Sequence, residues 1–90
     1  MPLVPEKGVI PMAKPVYEVI DELLDSLRRL EVSVVTMSWS EFYRLNEIER
    51  FKADRREQLI DRGSLKGVIL GFGDNAVVAC RDRNFAPISR

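Results

Sequence analysis

No histidine occurs in these 90 residues, and cysteine occurs once, as Cys80. The first absence removes the commonest general base and the commonest zinc ligand together. It excludes from this chain a Ser-His-Asp triad, a Cys-His nucleophilic pair and a histidine-based metal site. The lone cysteine has no partner for an intrachain disulfide, which favours a reducing, cytoplasmic setting. An excess of charge is missing too, because fourteen Lys and Arg balance fourteen Asp and Glu. That argues against a dedicated nucleic-acid coat or a polybasic membrane binder and leaves room for a local basic patch. No apolar run approaches the roughly 20 residues of a membrane span. The first fifteen residues hold Glu6 and four prolines in place of a basic start and an apolar stretch, so no signal peptide is expected there. What is present is 46% hydrophobic, enough for one modest core, in a length that suits one small domain.

Residues 1–14 carry Pro2, Pro5, Pro11 and Gly8, which block helix and favour extended backbone. With Leu3, Val4, Val9, Ile10 and Met12 they read as an extended arm that either docks on the core or stays loose. Pro15 stands where an N1 proline opens a helix. Val16, Val19, Ile20, Leu23, Leu24, Leu27 and Leu30 then recur at three- and four-residue steps, one continuous apolar stripe. Glu18, Asp21, Glu22 and Asp25 precede Arg28 and Arg29, an order that complements the helix dipole.

The stretch 32–37 is rich in β-branched residues and predicts a strand. It runs straight into a helix start. Ser38 and Glu41 have the spacing of a capping box, and Met37 and Phe42 occupy the positions of a hydrophobic staple. The second helix is expected over 39–62, burying Phe42, Leu45, Ile48, Phe51, Leu59 and Ile60. Its polar stretch, 52–58, either projects into solvent or bends, and Gly63 is placed as the left-handed terminator. The apolar runs 67–72 and 76–80 flank Gly73-Asp74-Asn75 and predict a β-hairpin. Both runs are apolar at successive positions, which suggests burial on both faces. Residues 81–90 read as a polar tail with Phe85 as its anchor. The expected fold class is α/β (α+β), a single domain over 1–90. Two helices pack on a small three- to four-stranded mixed sheet with a C-terminal β-hairpin.

Motifs that carry chemistry are scarce. Gly71-Phe72-Gly73 has the look of a phosphate-binding loop, but no helix follows to present its amides, so a structural turn is the better reading. Trp39 and Tyr43 lie one turn apart and read as packing rather than as a base-stacking surface, since no arginine cluster flanks Trp39. Cys80 has no second cysteine or helix start beside it and reads as a small core residue. Gly63-Ser64 followed by Asp74 invites comparison with the glycine-serine and paired aspartates of nucleotidyltransferases. The second carboxylate that would hold Mg²⁺ is missing, so this is not an active site.

The order of segments is nevertheless similar to the C-terminal half of a minimal nucleotidyltransferase domain. An acidic, leucine-rich helix (Val19-Ile20-Asp21-Glu22-Leu23-Leu24) is followed by a valine-rich strand ending in Met37-Ser38-Trp39-Ser40-Glu41-Phe42. A helix then leads through Leu59-Ile60-Asp61-Arg62-Gly63 into an apolar strand. In that family the catalytic motif precedes this region, and nothing before Pro15 supplies it. The resemblance therefore implies a catalytically incomplete relative or a partner chain, not an active transferase.

These features point away from an enzyme and imply no cofactor and no metal. The first reading is a small intracellular interaction module that forms a homodimer or binds a protein partner. The core is small to be stable alone, and a two-faced apolar hairpin needs a cover. Its interface candidates are Val68, Leu70, Val78 and Phe85. The alternative is a nucleic-acid-binding accessory protein. Ten of the fourteen basic residues are arginine, the side chain suited to phosphate. Its candidates are Arg55, Arg56, Arg62, Lys66, Arg81 and Arg83, although interleaved Glu47, Glu49, Asp54, Glu57 and Asp61 offset their field. A third reading is the incomplete nucleotidyltransferase-like protein. No membrane association is expected.

Overall fold

In the computed structural model, which describes residues 13–82, the first helix is α1 (Val16–Leu30). It begins one residue later than an N1 proline would place it. Pro15 is the N-cap, and its carbonyl accepts from the amides of Glu18 and Val19 at 3.0 and 3.2 Å. The apolar stripe is buried as its spacing requires, at Val19, Ile20, Leu23, Leu24 and Leu27, while Leu30 runs off the core into solvent. The helix ends on Glu31 in the left-handed region, φ 56°. The Glu31 amide donates to the Arg28 carbonyl and the Val32 amide to the Leu27 carbonyl, the paired bonds of a Schellman turn. Val32 is used in that turn, so the strand β1 starts later than expected and covers Val34–Ser38.

Ser38 closes β1 and caps α2 (Trp39–Asn46). Its Oγ accepts from the Glu41 amide at 3.1 Å, and its own amide donates to Glu41 Oε1 at 2.8 Å. The hydrogen bond from the Ser38 amide is the first cause that holds the Glu41 carboxyl below its ordinary value. Met37 and Phe42, the staple pair, both belong to the core region.

The single helix expected over 39–62 is in fact two. After α2 the chain leaves helical geometry at Glu47, φ 57°, again with Schellman bonds, Glu47 amide to Arg44 carbonyl and Ile48 amide to Tyr43 carbonyl. Residues 47–52 link it to α3 (Ala53–Lys66). The break lets Phe51 turn inward, its ring 5.0 Å from Phe42 and 5.2 Å from Phe72. A straight helix would not bring both rings to one core. Gly63 is also not a terminator. It is buried in the last third of α3, and the helix continues to Lys66, where Gly67 takes the left-handed conformation at φ 75°. A Cβ at residue 63 would sit 2.7 Å from the Val68 carbonyl oxygen, so glycine is there for close approach of helix and strand.

The hairpin forms as expected from β2 (Val68–Phe72) and β3 (Ala76–Arg81), its turn closed by the Gly73 amide on the Ala76 carbonyl at 2.8 Å. The sheet has three strands in the order β1-β3-β2, and both pairings are antiparallel, so it is not mixed. The helical crossover from β1 to β2 does set those two strands parallel to each other. β3 folds back between them, which makes every hydrogen-bonded neighbour antiparallel. The result is an α+β fold with the core between the helices and one face of the sheet. Phe42, Leu59, Val68, Val77 and Ala79 meet the α1 stripe there.

Candidate interaction surface

Side chains alternate across a strand, so the register assigns every sheet residue to one face. Val35, Met37, Val77, Ala79, Val68, Leu70 and Phe72 face the helices. The opposite face carries a row of Val34, Cys80 and Ile69, then a row of Thr36, Val78 and Gly71, then Ser38 beside Ala76. Val34 is 50% exposed and Ile69 48%. Among the described residues nothing covers this face, so the burial on both sides expected for the hairpin is met on one side only. Cys80 lies at its centre, half-buried, rather than in the core. A Cβ at Gly71 would meet Val78 Cγ1 at 2.7 Å, so Val78 leans over the neighbouring strand and flattens the middle of the face. Apart from the Cys80 thiol, no ionisable side chain points outward from these rows.

The four interface candidates divide accordingly. Val78 is on the open face. Val68 is only 1% exposed and, with Leu70, points the other way, into the helix layer. The outward residues of that strand are Ile69 and Gly71. Runs of consecutive apolar residues hide this, because period-two alternation leaves no trace when both sets are greasy. Phe85 lies outside the described residues.

The basic candidates are scattered in role. Arg55 is a structural tie. Its Nε donates to Asn46 Oδ1 at 3.0 Å and its Nη2 to the Lys14 carbonyl at 2.6 Å. Asn46 is 0% exposed, and its Nδ2 donates to the Phe42 carbonyl at 2.8 Å. The Lys14 amide donates to the Asn46 carbonyl at 2.9 Å. Lys14 Nζ pairs with Glu22 at 2.6 Å and lies 3.9 Å from Glu47; its hydrogen bond to Glu22 holds it above its ordinary value. Burial pushes the Arg55 guanidinium down from its ordinary value. This junction of the chain entry, the end of α2 and the start of α3 was not foreseen, and no local motif announces it.

The other basic candidates follow the geometry of α3 and the sheet. Arg56 lies with its guanidinium 5.3 Å from the Phe72 ring centroid, a cation–π contact. Arg62 shares the inward stripe of α3 with Arg55 and Leu59, and its Nε is buried with no hydrogen-bond partner among the described residues. Lys66 is exposed in the last turn of α3, where a cation suits the helix dipole. Arg81 is half-buried opposite Val68 on the helix side of the sheet, its amide bonded to the Ser33 carbonyl. Arg83 lies outside the described residues.

Trp39 has the packing role its spacing suggests. Its Nε1 donates to the Gly73 carbonyl at 2.8 Å, and its ring centroid stands 5.6 to 6.2 Å from those of Phe42, Phe51, Phe72 and Tyr43. This cluster locks the start of α2 to the hairpin turn, and the Gly71-Phe72-Gly73 segment is part of that lock. Beside it lies a shallow depression of about 660 Å³, lined by Ala13, Tyr43 and Ile48 with two basic residues, Arg44 and Arg50, and two acidic ones, Glu47 and Glu49. Among the described residues no group of His, Cys, Asp and Glu is arranged to hold a metal ion, and no helix is long and apolar enough to cross a membrane.

Comparison with protein-family models, with curated proteins and with solved structures finds no match to this chain. The likeness to a nucleotidyltransferase domain therefore rests on the order of its segments.

Proposed function

We propose that this chain is a non-enzymatic interaction module that engages a protein surface, its own or another's, through the outer face of its sheet. The observation that carries this reading is the outer row of exposed Val34, half-buried Cys80 and exposed Ile69, apolar and uncharged, with every helix among the described residues packed on the other face. Burying the exposed half of Val34 and of Ile69 would contribute about 1 kcal/mol each. Arg55 is committed to Asn46 and the Lys14 carbonyl, and the exposed Arg56 lies against the Phe72 ring, which weakens the nucleic-acid alternative relative to this one. Carbene footprinting of the dilute chain, read by mass spectrometry at Val34 and Ile69, tests the reading. Heavy labelling at both is expected, and protection of both in a dilute monomer would refute it.

A further inference from the structure

We infer that the occupant of this face is a second copy of the chain, packed sheet to sheet about a two-fold axis. The inference rests on the reading just given.

Three observations single out the second copy. The first is charge. In an isologous contact, residues near the axis meet their own counterparts, so a charged residue at the centre would face a like charge. The rows Val34, Cys80, Ile69 and Thr36, Val78, Gly71 hold none, and the whole chain has a formal net charge of zero. Two copies therefore approach without net repulsion. The second is shape. Val78 leaning over Gly71 leaves no long side chain standing at the centre, so two such faces can close to sheet-on-sheet spacing.

The third is where the exposed apolar surface lies. Of the seven large apolar residues exposed among the described residues, Val34 and Ile69 lie in the first two positions of β1 and β2, and Leu30, Val32 and Leu65 lie in the segments that lead into those strands. Those two beginnings are at one end of the sheet. They are tied together through β3 by the Arg81 amide on the Ser33 carbonyl and the Asp82 amide on the Gly67 carbonyl, both at 2.8 Å. The open face thus continues into a margin where Leu30, Val32 and Leu65 alternate with the exposed charged residues Glu31, Lys66 and Asp82.

Area sets the expected strength. Three strands of five residues make a face of roughly 14 by 17 Å. This is well short of the about 800 Å² per partner of a standard stable interface. Even with its margin, the contact should be weak and reversible, dissociating on dilution.

The test combines sedimentation with footprinting across a wide concentration range. The mass is expected to pass from monomer to dimer as concentration rises, with labelling of Val34 and Ile69 falling several-fold over the same range. Ile69→Glu, and separately Val34→Lys on the opposite edge strand, should remain monomeric throughout with unchanged helical circular dichroism. Tyr17→Glu, at an exposed apolar site on α1, should associate like the parent. A monomer at every concentration with both residues heavily labelled overturns the second copy and leaves the open face to another protein. A monomer with both residues protected at every dilution overturns the open-face reading as well. A dimer in which Val34 and Ile69 stay labelled places the contact elsewhere and overturns the inference.

Discussion

Replacing Gly63 with alanine sets two effects of known size against each other. Gly63 lies in the interior of α3, where alanine is favoured over glycine by about 1 kcal/mol. Against this, the new Cβ would stand 2.7 Å from the Val68 carbonyl oxygen and 3.7 Å from Ile20 Cδ1. The oxygen belongs to backbone and cannot rotate away. Only Gly67 separates the end of α3 from Val68, so the strand has little slack with which to retreat. Forcing extra volume into a packed site costs about 1–3 kcal/mol, and a rigid backbone partner puts this case at the upper end. The net expectation is a loss of about 1–2 kcal/mol, which lowers Tm by roughly 5–15 °C in a domain of this size.

Asparagine separates this account from the terminator account. At a left-handed position asparagine is tolerated better than alanine. Gly67→Asn should therefore cost less than Gly67→Ala, since nothing lies within 4 Å of that site and only its φ of 75° matters. At residue 63 the order should reverse, with the larger asparagine worse than alanine. Thermal and urea unfolding of the four variants measure this. A Gly63→Ala protein as stable as the parent, or Gly63→Asn above Gly63→Ala, would refute the close-approach argument.

Three further outcomes are expected. Ser38→Ala removes the cap on α2 and should lower unfolding stability by about 1 kcal/mol, seen as a lower urea midpoint at unchanged slope. Arg55→Lys cannot serve both Asn46 and the Lys14 carbonyl, and it should cost about 2 kcal/mol because a buried Asn46 oxygen loses its charged partner, whereas Arg50→Ala at the exposed rim should stay within about 0.5 kcal/mol of the parent. The Glu41 carboxyl is held below the ordinary 4.5 when folded, so its contribution is present above that pH and is lost as pH falls through the lower folded value. The stability difference between the parent and Glu41→Gln should therefore shrink on acidification, and a difference constant with pH would show that the carboxylate is not the pH-dependent partner of Ser38.

What the sequence by itself determined is what depends on neighbours a few residues apart. The α1 stripe, the Ser38 and Glu41 box, and the hairpin around Gly73 are local patterns, and each is found where the residues place it. The end of α2 was hidden because the left-handed residue there is Glu47, not glycine. A non-glycine residue bears a cost of about 1–2 kcal/mol in that conformation, which here is offset by the Schellman bonds and by the inward turn of Phe51. Gly63 and Gly67 look alike in a linear chain, and only the approach of Val68 distinguishes their uses.

The insertion of β3 between β1 and β2 joins residues 38 to 46 positions apart, and the tie from Arg55 to Lys14 spans 41. Neither leaves a short-range signature. The candidate surface lies on the same divide. Its apolar content was legible in 67–72 and 76–80, but which alternate residues face outward was decided only when the helices took one side of the sheet. That choice placed Val68 and Leu70 inside and left Val34, Ile69 and Val78 on the outer face.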